Sequence, residues 1–202
     1  MKIAITGASG FIGRDVLRLL AKKNIETINL YHKKKSNIKG ITNIKFNYKN
    51  KNINLFNKIG KPDVFIHLAW DSLDDHFLLN HLSNSKFSYS FIVKLLEQGL
   101  KKIFIMGTCF EYGIKKQGCL KENFKTYPSN QYAKAKDDLR KKLFLYLKKK
   151  NIDSILTWGR LFYIYGKSQN SNTLYGQFLK AAKSKAKIFN MSPGDQMRDY
   201  LH

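Results

Sequence analysis

Proline and cysteine are scarce in this chain, at three and two of 202 residues. Two cysteines cannot staple a chain of this length. A disulfide scaffold is therefore excluded, and Cys109 and Cys119 read as reduced thiols. No apolar run approaches the ~18 residues that a membrane-spanning helix needs. The opening Met1-Lys2-Ile3-Ala4-Ile5 passes straight into a strand-like run and Gly7, with no signal-peptide apolar stretch. The expectation is a cytoplasmic protein with no membrane partner. Acidic residues are also few: 14 Asp and Glu face 37 Lys and Arg, a net charge of +23. Such a balance draws polyanions. Arginine, which reads phosphates and bases through bidentate contacts, is nevertheless rare, and the lysines are scattered among Asn and Ile. A compositional lysine bias is favoured over a dedicated nucleic-acid face, so no specific nucleic-acid partner is expected.

What is present is enough apolar material for a core: 43% hydrophobic and 13% aromatic residues. It is arranged as alternating strand-like and helix-like runs. Strands are predicted at Lys2–Thr6, Ile25–Tyr31, Ile41–Phe46, Asp63–Leu68, Ile103–Gly107 and Ser154–Trp158. Helices are predicted at Phe11–Lys23, Phe77–Gln98 and Gln131–Lys149. In the first helix the apolar spacing runs through Phe11, Ile12, Val16, Leu19 and Leu20. The second ends at Gly99, a usual helix stop. Strand–helix alternation implies an α/β fold, a doubly wound parallel sheet covered on both faces. After Gly166 the pattern weakens to a polar loop over Ser168–Thr173, a helix over Leu174–Lys183 and a short strand over Lys187–Asn190. Two parts are expected: 1–166 as the nucleotide-binding domain and 167–202 as a small, incomplete substrate-binding region.

Between the first strand and first helix lies Gly7-Ala8-Ser9-Gly10-Phe11-Ile12-Gly13. Gly7 permits a tight turn, Gly10 lets backbone approach a pyrophosphate, and Gly13 lets helix pack on strand. The free N–H groups and dipole of the helix N-terminus favour the anion. A second pattern, Tyr132-Ala133-Lys134-Ala135-Lys136, puts a phenol and an ammonium at i and i+4 on one helical face. A phenol of pKa ~10 is a poor base at neutral pH. A neighbouring cation favours the phenolate, and the pair can then exchange a proton with a hydroxyl or ketone.

The run Ile5-Thr6-Gly7-Ala8-Ser9-Gly10-Phe11-Ile12-Gly13 resembles the fingerprint of the extended short-chain dehydrogenase/reductase family, the nucleotide-sugar epimerases, dehydratases and ketoreductases. The later segments follow in order. Gly107-Thr108-Cys109-Phe110-Glu111-Tyr112-Gly113 resembles that family's Ser-Ser-x-x-Val-Tyr-Gly, with Thr108 at the catalytic hydroxyl position. Thr108 stands 24 residues before Tyr132, and Asn84 stands 24 before Thr108. His67-Leu68-Ala69 matches the strand end where backbone passes beside the cofactor. Arg160-Leu161-Phe162-Tyr163-Ile164-Tyr165-Gly166 and Arg198-Asp199-Tyr200-Leu201-His202 match later segments.

The resemblance implies a Rossmann-like fold, a nicotinamide cofactor and a nucleoside-diphosphate sugar. Tyr132 is then the general acid/base, Lys136 lowers its pKa and holds the ribose, and Thr108 hydrogen-bonds the reacting oxygen. Gly7, Gly10, Phe11, Ile12, Gly13, Leu68, Ala69, Tyr132 and Lys136 would contact the cofactor. Trp70, Cys109, Phe110, Tyr163 and Arg198 would face the sugar nucleotide, with Arg198 at its diphosphate. After the second strand there is no carboxylate to bind a ribose 2′-hydroxyl, but Lys33-Lys34-Lys35 instead. Lys33 or Lys34 would pair with a 2′-phosphate, so NADP(H) is favoured over NAD(H). The general lysine excess explains the same residues equally simply.

Departures narrow the chemistry. Cys109 and Phe110 stand where dehydratases carry an Asp-Glu pair, which disfavours dehydration. No histidine lies between His81 and His202, which removes support for epimerisation at carbons 3 and 5. Tyr163 stands where many relatives carry Asn. What remains is redox chemistry at one carbon: a 4-ketoreductase or 4-epimerase for bacterial surface-polysaccharide sugars. The competing reading is a non-catalytic, truncated NAD(P)-binding remnant. His76 and His81 lack the extra ligands of a metal site. Family members pair their two long helices between copies, so a homodimer is expected, with Leu139, Leu143, Phe144 and Tyr146 at the interface.

Overall fold

The apolar runs form strands because their β-branched and aromatic residues are buried on alternate faces. In the computed structural model, which describes residues 1–47, 54–113, 118–166, 169, 171–195 and 197–202, six strands make one sheet. They are β1 (Lys2–Thr6), β2 (Glu26–Tyr31), β3 (Ile41–Lys45), β4 (Val64–His67), β5 (Lys102–Thr108) and β6 (Ile155–Leu161). Their order is β3-β2-β1-β4-β5-β6, and the pairs from β3 through β5 are parallel. Helix α1 (Phe11–Lys22) follows β1, α2 (Leu55–Lys58) precedes β4, α3 (Asn80–Glu97) follows β4, and α4 (Gln131–Lys150) precedes β6. The order reverses between β1 and β4. That reversal opens a crevice beyond their carboxyl ends, where open α/β sheets bind ligands.

Period-two alternation splits the core. Ala4 and Phe65 join Ile92, Leu95, Ile105, Leu139 and Leu143 under α3 and α4. Their strand neighbours Ile5 and Ile66 point to the opposite face and pack with Leu17 of α1. Leu17, rather than Leu19, carries the burial of α1: Leu19 is half exposed. Leu139 and Leu143 are fully buried within the protomer, which corrects their expected place at a dimer interface. On α4 it is Phe144 and Leu145 that are exposed.

Helix α3 begins at Asn80, not Phe77. The preceding segment is held in a turn of its own: Asp75 Oδ1 accepts the Phe77 N–H at 2.9 Å, and the His76 carbonyl accepts the Tyr132 N–H at 3.0 Å. Helix α4 is capped by the Asn130 side chain, which accepts the Ala133 N–H at 2.8 Å. Its three terminal lysines sit where the helix dipole favours cations.

The chain divides into two compact units, Met1–Arg160 and Leu161–His202, ahead of the expected boundary at 166. The reason is a small second sheet. Strand β7 (Tyr163–Ile164) pairs in parallel with β8 (Tyr200–Leu201), so the 161–166 segment finds its partners in the second unit. Helix α5 (Leu174–Lys183) has the expected span and is capped by Thr173. The strand expected at Lys187–Asn190 does not form: Phe189 instead packs edge-on against Phe178 of α5, at 5.8 Å between ring centroids. Of the loop expected over 168–173, residues 168 and 170 lie outside the described residues.

Candidate functional site

The crevice between β1 and β4 is built by glycine. Gly7 has φ +77°, and a Cβ there would lie 2.6 Å from both the Ala69 nitrogen and the Leu68 carbonyl carbon. The turn can therefore be tight, and β4 can pass against it, only without a side chain. Gly13 is equally confined, its Cβ position lying 2.2 Å from the Gly7 oxygen. Gly10 begins α1 with no side-chain cap, and the first turn holds no acidic residue. The first N–H groups of a helix lack intrahelical acceptors, and with no side-chain cap here this helix start suits an anion.

A cleft of about 300 Å³ runs from Gly7–Gly10 past the end of β2, including Lys33 and Lys34, to Leu68, Ala69, Trp70 and Asp71. Beside it lies a cavity of about 180 Å³, lined by Arg14 and Arg18 of α1 together with Lys34, Lys35, Ser9 and Ser36. The lysine run after β2 thus meets two arginines. The spacing that reveals them is i, i+4 on the first helix, directly after Gly13, and sequence reasoning passed over it.

Thr108, Tyr132 and Lys136 come together in the same unit, against Trp70 of the cleft. Thr108 ends β5 and caps a 3₁₀ turn, Cys109–Tyr112, accepting the Phe110 N–H at 3.3 Å. Its hydroxyl stands within hydrogen-bonding reach of the Tyr132 phenol. Tyr132 is nine-tenths buried. Burial, and then the negative charge of Glu111, push its phenol well above the ordinary range; the Thr108 hydroxyl works against that rise. Lys136 is almost wholly buried. Its ammonium donates to the Met106 carbonyl at 2.6 Å and lies 3.9 Å from the centre of the Trp70 ring. Burial lowers its pKa from 10.5 to about 7, against a smaller upward pull from Glu111.

The walls around the phenol are aromatic. His76 stacks on the Tyr132 ring at 4.8 Å and meets Phe110 at 5.3 Å, and the Trp70 ring stands edge-on at 6.0 Å. Trp70 donates to His81 Nδ1 at 3.0 Å. An indole N–H can only donate, so His81 carries its proton on Nε2 and donates to the Asp75 carbonyl at 2.9 Å. Cys109 is half-buried in the turn beside this cluster. Asn84 reaches back to the Asp71 carbonyl at 3.0 Å, tying α3 to the segment after β4.

Behind Thr108, Glu111 is wholly buried among Trp158, Arg160 and Arg140. Tyr163 and Arg198 lie in the second unit, where the guanidinium donates to the Tyr163 hydroxyl and stacks 4.7 Å from its ring centre. That unit also holds an apolar cavity of about 330 Å³ lined by Tyr165, Leu174, Tyr175, Phe178, Phe189, Met191 and Tyr200.

The model of the NAD dependent epimerase/dehydratase family matches residues 3–202. The chain belongs to that family. Among its curated relatives is the dTDP-6-deoxy-L-talose 4-dehydrogenase (NAD(+)) of Aggregatibacter actinomycetemcomitans, 28% identical over the whole of this chain and 75% of that protein. The GDP-6-deoxy-D-talose 4-dehydrogenase of the same organism is 24% identical over the whole chain and 66% of its own length. Among solved structures, the UDP-glucuronic acid 4-epimerase of Bacillus cereus, in complex with UDP-glucuronic acid and NAD, superposes with a TM-score of 0.79. It is 21% identical, and the match covers 99% of this chain and 68% of that one. This member of the epimerase/dehydratase family thus has the family's doubly wound fold.

Proposed function

We propose that the protein is a nicotinamide-dependent oxidoreductase acting at carbon 4 of a nucleoside-diphosphate 6-deoxyhexose, with NADP(H) as its preferred cofactor. The observation that carries the reading is the meeting of Thr108, Tyr132 and Lys136 in the unit whose glycine turn forms the crevice. The 4-dehydrogenase names of the two curated relatives support the choice of carbon and sugar.

The residues present fit a dinucleotide. Gly7 and Gly13 leave room that any Cβ would fill, and the uncapped start of α1 accepts a diphosphate. Leu68 and Ala69 supply backbone along the cleft, and Arg14, Lys34 and Lys35 supply cations for a ribose 2′-phosphate. When bound, the nicotinamide supplies the hydride donor or acceptor. Tyr132, kept as a phenol by burial, delivers a proton to the oxygen on carbon 4 during reduction and retrieves it during oxidation. Thr108 hydrogen-bonds the same oxygen. Lys136, anchored on the Met106 carbonyl, places a cation beside the ring and favours phenolate when the base is needed. Phe110 and His76 offer an apolar wall to a deoxy carbon. Tyr163 and Arg198 are assigned to the sugar nucleotide. Phe144 and Leu145 are the exposed apolar positions on α4 available for pairing two copies.

The test is a panel of nucleoside-diphosphate 4-keto-6-deoxyhexoses with NADPH and NADH, followed by nicotinamide absorbance. Tyr132→Phe should lower turnover by ~10²–10⁴-fold while cofactor still binds. Arg14→Ala combined with Lys34→Ala should weaken NADPH about fivefold or more and leave NADH untouched. Equal losses for both cofactors would remove the 2′-phosphate contact from these residues, and wild-type binding of NADH at least as tight as NADPH would assign NAD(H), the cofactor in the first relative's name.

A further inference from the structure

Glu111 is a fully buried carboxylate that the mechanism above does not use. Its position is unusual for the segment it occupies. Against Ser-Ser-x-x-Val-Tyr-Gly, Thr108 keeps the hydroxyl of the second serine, while two other positions of Gly107–Gly113 depart together: glycine replaces the first serine, and glutamate replaces valine. The structure gives the reason. A Cβ on Gly107 would lie 2.1 Å from Trp158 Nε1 and 2.6 Å from Glu111 Oε1. The missing side chain at 107 is the space in which indole and carboxylate meet.

The carboxylate gathers hydrogen-bond donors from two elements and an ion pair from a third. Oε1 accepts the backbone N–H of Thr108 at 3.0 Å, and the Trp158 indole N–H lies 3.0 and 3.2 Å from Oε1 and Oε2. Arg160 Nε reaches Oε2 at 2.9 Å, and Arg140 Nε approaches it to 3.5 Å. Arg140 is four residues beyond Lys136 on α4, while Trp158 and Arg160 are on β6. One buried group therefore connects the end of β5, the helix bearing Tyr132 and Lys136, and the neighbouring strand.

We propose that Glu111 is a positioning residue, whose carboxylate fixes Thr108 by its backbone N–H and locks it to α4 and β6 so that hydroxyl, phenol and ammonium keep one geometry. The inference rests on the functional reading of Thr108, Tyr132 and Lys136 given above. Misplacing a reacting group by about 1 Å can cost ~10²-fold in rate, so a rigid mount for Thr108 has direct kinetic value. The buried negative charge has a second effect: it favours the protonated form of both Tyr132 and Lys136. The other titratable groups near the phenol are Lys136 on α4, Cys109 in the turn, and His76 and His81 from the segment after β4.

Two substitutions separate position from charge. Glu111→Asp keeps the charge but withdraws the carboxylate by one methylene, ~1.5 Å, releasing the Thr108 N–H. It should lower kcat ~10–100-fold, with cofactor affinity and the pH profile unchanged. Glu111→Gln keeps an acceptor for Thr108 but removes the charge facing Arg160, while Arg140 retains its ion pair with Asp137 at 2.7 Å. In the oxidation direction, where the phenolate is needed, the ascending limb of kcat against pH should move to lower pH by ~0.5 unit or more. Thermal melting and NADPH binding of each variant check that the fold survives, and if Glu111→Gln does not fold, Glu111→Asp carries the test. Variants that melt earlier yet keep the wild-type kcat and limb would make Glu111 a fold-stabilising partner only and overturn the inference. A wild type inert on every sugar, or Tyr132→Phe with undiminished turnover, would overturn the functional reading as well. That outcome is distinct from an active wild type with indifferent Glu111 variants.

Discussion

Replacing Lys136 by methionine should abolish turnover and raise stability at neutral pH. The side chain is almost wholly buried, and its pKa falls from 10.5 to about 7. The unfolded chain holds this proton up to pH ~10.5, the folded chain only up to about 7. Between those values the unfolded state binds more protons, so stability rises with pH across the window. At pH 7 the native state therefore carries a penalty of ~4 kcal/mol for this one group, at ~1.4 kcal/mol per pH unit. Methionine has similar length and no charge to desolvate. It forfeits the 2.6 Å bond to the Met106 carbonyl and the contact with the Trp70 face, together costing ~1–3 kcal/mol. The net expectation at pH 7 is a gain of ~1–3 kcal/mol, or roughly 3–10 °C in melting temperature for a chain of this size. By pH ~10 the amine is neutral in the fold, the penalty has shrunk to ~1 kcal/mol or less, and the hydrogen bond of the wild type offsets it. Melting curves of both proteins from pH 6 to 10, read by circular dichroism, measure the gap directly. A variant less stable than wild type at pH 7, or a gap that does not change with pH, would refute the reasoning.

Two further substitutions probe the sheet around the crevice. Gly7→Ala must place a methyl against the backbone of Leu68 and Ala69 at a positive φ. It should cost ~2 kcal/mol or more and eliminate NADPH binding as seen by fluorescence titration; a variant that binds normally would contradict the close approach. His67 is fully buried between Thr6 and Ser88, and burial lowers its pKa to about 3. The unfolded chain protonates this histidine below pH ~6.5 and the folded chain does not, so stability should fall by up to ~1.4 kcal/mol per pH unit on acidification. His67→Gln should flatten that part of the slope in urea titrations at pH 7 and 4.5, and identical slopes would exclude His67 as its source.

Much of this arrangement was legible in the sequence because burial on both sheet faces writes itself as apolar runs. Lys2–Thr6 and Leu174–Lys183 have the spans that periodicity assigns, and the glycine turn lies where strand meets helix. What escaped is what periodicity does not encode. The strand at Lys187–Asn190 had the right composition and no partner; β8 took the pairing with β7 instead. Leu139 and Leu143 share a helical face with the catalytic pair's neighbours, and only the packing of α3 against α4 shows that this face is internal. Asp75 and His76 hold their own turn through side-chain and backbone hydrogen bonds, delaying α3 by three residues beyond its apolar start. Glu111 could have been noticed as a carboxylate in the otherwise apolar turn that follows β5. Its meaning needed Gly107, Trp158 and Arg160, which lie far apart in the chain and adjacent in space.

The two tryptophans of this chain both rest on ionisable groups of the site. The Trp70 ring faces the Lys136 ammonium at 3.9 Å, and the Trp158 indole donates to the Glu111 carboxylate at 3.0 Å. Indole emission responds to nearby charge, so the protein carries a built-in optical reporter with no background from distant tryptophans. Loss of the Lys136 proton alters the emission of one indole, and disturbance of the Glu111 mount alters the other. Trp158→Phe leaves the first signal alone and Trp70→Phe leaves the second. The protonation state of the ammonium and the integrity of the carboxylate mount can thus be followed separately, in unlabelled protein and on the timescale of mixing.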